Sequence, residues 1–148
     1  MTQTQKNLLK FAALLWVIWG LVHMFAGLIT IIRPTAEGFA GIADAVEPAL
    51  LAAEYHGAVG GILNQHGFNL LWIGLVTLIG AGFIWRGNMT AIWVTALVGG
   101  LADVGYFLML DLQGYVNFVP GTVMTLFSSA AVISSFLVWL PRRKAELS

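Results

Sequence analysis

The chain has 148 residues, of which 59% are hydrophobic and only 9% are charged. A soluble domain carries roughly 25% charged residues, so this composition excludes a soluble globular protein and indicates an integral membrane protein. The formal net charge is zero, which speaks against a nucleic-acid partner, and the absence of cysteine excludes disulfides, thiolate ligands and dithiol redox chemistry.

Four apolar stretches follow one another along the chain, each long enough to cross a lipid bilayer. A transmembrane helix needs about 20 apolar residues. The predicted spans cover residues 11–32, 67–85, 89–110 and 118–140. The second span is open to a helical extension back into the 50s, and Pro141 with the basic residues after it is expected to end the fourth. We therefore predict an all-α fold, a single integral membrane domain over residues 1–148 built as a four-transmembrane-helix bundle.

The connections between the spans differ in charge. Residues 33–66 form an acidic outer connection, in which residues 44–54 are a candidate surface helix, whereas residues 86–88 form a tight turn. The basic residues that lie on one side of the four-span arrangement are Lys6, Lys10, Arg86, Arg142, Arg143 and Lys144, and only Arg33 lies opposite. The positive-inside rule then predicts that both termini are cytoplasmic.

Polar residues within the spans are the first candidates for a functional site, because such side chains are costly in lipid and usually face the interior of a bundle. At about 1.5 Å per residue from the cytoplasmic ends, His23 lies about 18 Å up and Asp103 about 21 Å up. On the same count Asn69, Thr125 and Tyr106 fall at about 22–26 Å, so all four helices contribute to one polar layer. An unpaired carboxylate at that depth costs about 3 kcal/mol or more, so Asp103 requires a partner or a function.

The residues that share faces with this layer are small, hydroxylated or aromatic. They are Trp16, Gly20, His23, Gly27 and Thr30 in the first span, Thr95, Gly99, Asp103 and Tyr106 in the third, Thr122, Thr125 and Ser129 in the fourth, and Asn69 and Thr77 in the second. Helix packing alone accounts for most of them, since small and hydroxyl residues line membrane helix interfaces.

Two further histidines, His56 and His66, belong to the outer connection, with Glu54 nearby. On one continuous helix they would lie about 15 Å apart along the axis and could not bind one metal ion without a break in that helix. The glycines around them allow such a break, so a zinc site stays open, although the spacing matches no metal motif. A single imidazole can also be an axial haem ligand.

Several of these segments resemble the styrene oxide isomerase family of small four-span bacterial membrane proteins. The segment 102–108, ADVGYFL, is similar to that family's Ala-Asn-Val-Gly-Phe-Tyr-Leu, and 27–34, GLITIIRP, is similar to the end of its first span. The segment 68–70, FNL, resembles its Leu-Asn-Gly, and His56 with Gly57 is similar to its His-Ser-Gly.

The resemblance implies a homotrimer in the bacterial inner membrane, with haem b held near subunit boundaries by a histidine and a Lewis-acidic iron that opens an epoxide. Carried over, His56 is the metal ligand and Asn69 the amide that positions the substrate, and the cofactor-binding candidates are His56, His66 and His23. The chain departs from the family where Asp103 replaces an asparagine and where Tyr106 stands one place before the tyrosine position. That shift turns the side chain by about 100°.

Three hypotheses follow. The first is a haem-binding membrane isomerase acting on a small lipophilic, epoxide-like substrate, with Asn69, Asp103 and Tyr106 orienting that substrate. The second is a non-enzymatic membrane accessory or ligand-binding protein whose buried polar groups only fix helix packing. The third is a proton or ion path through His23 and Asp103, for which the cytoplasmic half of the spans offers few polar groups.

Overall fold

The computed structural model describes residues 1–43 and 47–147, and within these ranges the chain is 86% helical with no strand. Its architecture rests on four helices that are long and apolar enough to cross a membrane. They are Gln3–Ile32, Gly57–Trp85, Met89–Asp111 and Val123–Arg143, called here the first to fourth long helices. These helices confirm the predicted all-α bundle and fit a multi-pass membrane protein.

The first two long helices begin earlier than hydropathy indicates. The first starts at Gln3, where Thr2 and Gln5 form a capping box. The second starts at Gly57, where the His56 side chain accepts a hydrogen bond from the Ala58 N–H. Residues 57–66, predicted as connection, are therefore helical, because hydropathy marks what can lie in lipid whereas helical hydrogen bonds continue through polar residues.

The connection between these two helices carries short helices at Thr35–Ile42 and Pro48–Leu51. The surface helix predicted over residues 44–54 is thus limited to four residues where it is described. Asp44, part of that prediction, lies outside the described residues. The Tyr55 hydroxyl donates to the Leu50 carbonyl oxygen at 2.7 Å and its ring contacts Phe39, which ties the two short helices together.

The second and third long helices are joined by the predicted tight turn at residues 86–88. Gly87 has φ of 81°, its N–H bonds to the Ile84 carbonyl, and the Asn88 N–H bonds to the Phe83 carbonyl. This is a Schellman motif, which favours glycine because the left-handed conformation costs other residues energy. Asn88 then caps the third helix by accepting from the Ala91 N–H.

The fourth long helix departs from the predicted span at both ends. Its regular part starts at Val123, because Val119, which precedes Pro120, has φ of −116° and ψ of 129°, the extended conformation that a following proline imposes. Pro141 was expected to stop the helix but lies inside it, and the helix continues to Leu147. A proline removes its own backbone donor and bends a helix without necessarily ending it.

The first and second long helices pack at their glycines. A Cβ atom added at Gly20 would lie 2.8 Å from the Gly74 carbonyl oxygen, and one added at Gly74 would lie 2.6 Å from the Gly20 carbonyl oxygen. Gly27 and Gly67 face each other in the same way, so two backbone-to-backbone contacts define a glycine seam of these four residues. In lipid, where no hydrophobic force drives helices together, such close approach is a main source of helix association.

The buried apolar core occupies only one half of the bundle. We call the end with both termini and the 86–88 turn the terminal end, and the opposite end the connection end. The large side chains buried in the terminal half include Leu9, Trp16, Ile84, Ile92 and Val138. Among the described side chains between Val104 and Phe127, none is buried. The buried packing between the third and fourth helices therefore ends at the level of Asp103 and Ser128.

The glycine seam predicts a sharp contrast between two alanine substitutions in the second long helix. Gly74→Ala should lower the free energy of unfolding by about 1–3 kcal/mol, because its methyl group overlaps the Gly20 backbone. Gly82→Ala has no atom within 4 Å of the new methyl and should be neutral or stabilising by up to about 1 kcal/mol, through helix propensity. Reversible unfolding of the detergent-purified variants measures both values, and equal effects would contradict the seam.

Candidate functional site

The candidate site is built around Asp103, on a short α-helical segment between two π-helical ones. The third long helix is α-helical over Met89–Thr95 and Leu101–Tyr106 and π-helical over Ala96–Gly100 and Phe107–Asp111. A π turn widens the helix and shifts the bearing of the residues beyond it, and π turns are frequent at functional sites. Asp103 is only 4% exposed, and the two π segments set its direction.

The carboxylate of Asp103 is held by a side chain from the first helix. The Trp19 indole N–H donates to Oδ2 over 2.7 Å, and Trp19 itself is fully buried. On the fourth helix the Ser128 side chain lies near the carboxyl group, and its hydroxyl donates to the Thr125 carbonyl oxygen of its own helix over 3.1 Å. Asp103 therefore links the first and third helices by a hydrogen bond and lies beside the fourth.

His23 completes the arrangement from one turn beyond Trp19. Its Nδ1 lies 2.8 Å from the Trp19 carbonyl oxygen, and its ring stacks on the Trp19 indole with centroids 3.5 Å apart. Because a carbonyl only accepts, Nδ1 carries a proton and Nε2 is the nitrogen whose protonation can change. Nε2 lies 3.8 Å from Asp103 Oδ1. We call Trp19, His23, Asp103 and Ser128 the acid–base cluster.

The geometry of this cluster fixes two titratable groups beside each other. The Trp19 carbonyl and indole orient the imidazole, and the Trp19 N–H orients the carboxylate. The distance of 3.8 Å between Nε2 and Oδ1 exceeds a direct hydrogen bond, so a ligand atom can interact with both groups. The His23 side chain keeps 14% of its surface exposed, which makes it the edge at which a ligand can approach.

The polar layer predicted from the sequence is confirmed for His23 and Asp103, which the structure brings together. Asn69 instead accepts from the Trp72 indole N–H of its own helix over 3.1 Å. Tyr106 is half-buried, and its hydroxyl lies so close to Gly121 that a Cβ atom there would overlap it. On the fourth helix Ser128 is buried and Ser129 is exposed, so the predicted serine is the wrong one of two neighbours.

The other two histidines lie apart from the acid–base cluster. His56 is exposed and caps the second long helix, and His66 is exposed on the same helix. Across the described ranges no group of three or more histidine, aspartate or glutamate side chains is placed to hold a metal ion. The continuous helix from Gly57 separates His56 and His66 by about 14–15 Å along its axis.

Two members of the acid–base cluster escaped the sequence analysis. Trp19 lies four residues before His23, a spacing that places both on one helical face. A tryptophan in an apolar span, however, is normally interpreted as a core residue. Ser128 and Ser129 lie three and four residues after Thr125, so helical spacing alone does not choose between them. The sequence does not show how far the π-helical segment Ala96–Gly100 rotates the side chains that follow it, including Asp103.

No protein-family model, curated protein or solved structure matches this chain. The resemblance to the styrene oxide isomerase family remains a prediction, and the site is argued from its own geometry.

The hydrogen bond from Trp19 predicts a specific energetic coupling. Trp19→Phe should lower the free energy of unfolding more than Trp16→Phe does, because it alone leaves a buried carboxylate oxygen without its donor, at a cost of about 1–3 kcal/mol. Both tryptophans are buried to within 1% exposure, so the loss of ring volume is matched. A double-mutant cycle with Asp103→Leu, which removes both acceptor oxygens, isolates the pair, and a coupling energy near zero would contradict the bond.

Proposed function

We propose that this chain is an integral membrane protein that uses His23 and Asp103 as an acid–base pair on a small lipophilic substrate. The observation that carries the proposal is the buried pair itself, with Nε2 and Oδ1 3.8 Å apart and each group fixed by Trp19. An intramembrane ionisable residue that faces the bundle interior and pairs with another is typical of a functional site. Here two such residues from different helices meet.

The pair supports an intramolecular isomerisation. One group delivers a proton to a substrate oxygen while the other accepts a proton, so the substrate rearranges without net change of oxidation state and without a second substrate. General acid–base catalysis of this kind contributes about 10²–10⁴-fold to a rate. The hydrogen bond from Trp19 keeps the carboxyl group in place through that exchange. An epoxide opening to a carbonyl compound is the reaction that the family resemblance favours.

The arrangement of the core supports entry from one side only. Trp16, Leu9 and Val138 fill the terminal half, whereas the described side chains of the third and fourth helices beyond the acid–base cluster are not buried. A proton or ion path would need polar groups through the terminal half. There Ser135 bonds to the backbone of its own helix and Thr77 does likewise. A one-sided site for a lipophilic molecule is therefore favoured over a conducting path.

We further propose that the terminal end is cytoplasmic, in a bacterial inner membrane. The support is the distribution of basic residues, of which Lys6, Lys10, Arg86, Arg142 and Arg143 belong to that end. The homotrimer implied by the resemblance is retained as a prediction, to be checked by the mass of the detergent-solubilised complex.

The haem proposal is retained in a modified form, on the chemistry of the two exposed imidazoles, His56 and His66. His56 Nδ1 accepts from the Ala58 N–H at 3.2 Å, so its Nε2 carries the proton in the neutral ring and offers no lone pair unless the helix cap is lost. His66 is exposed and takes part in no hydrogen bond within the described ranges. We propose His66 as the haem ligand at a subunit boundary, where bound iron would supply a Lewis acid.

The alternative function is a non-enzymatic accessory or ligand-binding protein, in which the acid–base cluster only fixes the helices. The specific observation that favours it is that Asp103 links the first and third helices through its hydrogen bond with Trp19 and its contact with His23. Asp103→Leu separates the two proposals. A catalytic or ligand-binding role predicts loss of ligand binding with a smaller loss of stability, and unchanged ligand affinity with lost thermal stability would show a structural role.

The acid–base role predicts the behaviour of two near-isosteric variants. His23→Gln and Asp103→Asn should each reduce aldehyde formation from an aryl epoxide by about 100-fold or more, because each removes the exchangeable proton and largely keeps side-chain volume. Ser129→Ala, an exposed position on the fourth helix, should leave the rate unchanged. Full activity of either variant, or an inactive wild type across epoxide substrates, would overturn the isomerase proposal.

The haem proposal has its own measurement, the absorption spectrum of the detergent-purified protein. We expect a Soret band that is lost or shifted in His66→Ala and retained in His56→Ala. Loss in His56→Ala alone would reverse the assignment, and a wild type without a band after reconstitution with haem would remove the cofactor from the proposal while leaving the acid–base pair testable.

A further inference from the structure

A cleft opens at the terminal end, away from the acid–base cluster. It lies between the start of the third long helix and the last turns of the fourth. The residues that line it are Met89, Trp139, Arg142 and Arg143. Two arginines, one aromatic ring and one flexible apolar side chain thus converge on a single opening.

The two arginines of this cleft have no carboxylate partner in the described part of the chain. Arg143 places its guanidinium 5.0 Å from the centroid of the Trp139 ring, and Arg142 Nη1 lies 3.3 Å from Met1 Sδ. The described ion pairs are His23 with Asp103 and Arg33 with Glu37. The cleft therefore presents planar donors to whatever enters it, the geometry that suits the oxygens of a phosphate.

Charge along the chain makes an anionic occupant the complementary one. The acidic side chains that the structure describes are Glu37, Glu47, Glu54, Asp103 and Asp111, and each belongs to the connection end or to the acid–base cluster. The terminal end contains one acidic residue, Glu146, whose side chain lies outside the described ones, against six basic residues, Lys6, Lys10, Arg86, Arg142, Arg143 and Lys144. Basic residues dominate the terminal end, so the repulsion between Arg142 and Arg143 is not offset by a described carboxylate. A bound anion would offset it.

The surroundings of the cleft indicate that this anion belongs to a lipid. Trp139 is part of an aromatic cluster with Trp93 and Phe136, with ring centroids 4.7 to 5.7 Å apart. Tryptophans of membrane proteins concentrate at headgroup level, and exposed apolar side chains such as Leu140 and Leu137 continue from the cleft along the fourth helix. A headgroup phosphate in the cleft would leave the acyl chains beside this apolar surface.

We propose that the cleft binds the phosphate of an anionic phospholipid, held by Arg142 and Arg143 beside Trp139. Basic pockets between membrane helices are known sites for anionic headgroups. The proposal requires membrane insertion but not catalysis, so it can fail or succeed independently of the isomerase activity. The lipid would hold the fourth helix against the start of the third, at the end of the bundle where the buried core lies.

The test uses the full chain, purified in a neutral detergent and stripped of native lipid. Short-chain phosphatidylglycerol is titrated and its dissociation constant is measured by microscale thermophoresis, beside phosphatidylcholine of the same chain length and glycerol phosphate. The variant is Arg142→Gln with Arg143→Gln. Its matched control, Lys6→Gln with Arg86→Gln, removes the same charge from the same end without changing a residue that lines the cleft.

We expect wild type and control to bind phosphatidylglycerol alike, and the double-arginine variant to bind about 30-fold more weakly, from about fivefold per cationic side chain. If the control variant binds phosphatidylglycerol as weakly as the double-arginine variant does, the binding is diffuse attraction to anionic lipid and not a site in the cleft. Equal affinity for glycerol phosphate would make it a site for free phosphate esters, and equal affinity for phosphatidylcholine would remove the role of headgroup charge. Each of these three results would overturn the proposal. A thermal unfolding curve for each variant confirms that the folded protein is being compared.

Discussion

The close approach of the first two long helices is the constraint on which the rest of the bundle depends. Because Gly20 and Gly27 meet Gly74 and Gly67 through their backbones, one face of the first helix is fully occupied by the second. The large buried side chains of the first helix lie on the neighbouring face. Trp16, Trp19 and His23 share that face, and their bulk fills the gap to the third helix, where Trp16 lies against Gly99. The seam thereby aims Trp19 at Asp103.

A buried carboxylate selects one arrangement of the packed helices. Asp103 is only 4% exposed and must find a donor among its neighbours, which it does in the Trp19 indole N–H. A rotation of the first or the third helix would break this bond. The same bond holds the carboxyl group beside His23, with Oδ1 3.8 Å from Nε2. Structural and chemical roles thus use the same atoms, which is why the substitutions proposed above compare stability with activity.

The two ends of the bundle differ in packing and in charge. The terminal half carries the buried core and the basic residues, and it supplies rigidity and a charged interface with the membrane surface. The connection half of the third and fourth helices has no buried described side chain beyond the acid–base cluster, so it offers access. The proposed lipophilic substrate would therefore enter through the connection half. This asymmetry favours a site that is closed at the terminal end over a channel open at both ends.

The number of long helices, the tight turn at Gly87 and the inward faces with His23 and Asp103 can be predicted from the amino-acid sequence, because hydropathy, glycine conformation and the 3.6-residue period are local properties. The extension of the second helix back to Gly57 and the passage of the fourth through Pro141 cannot, since backbone hydrogen bonds continue where composition changes. That Trp19 bonds Asp103 while Asn69 bonds Trp72 is visible only in the folded chain. These pairings depend on how each helix is rotated about its axis, and the glycine seam and the π turns set that rotation through contacts between segments.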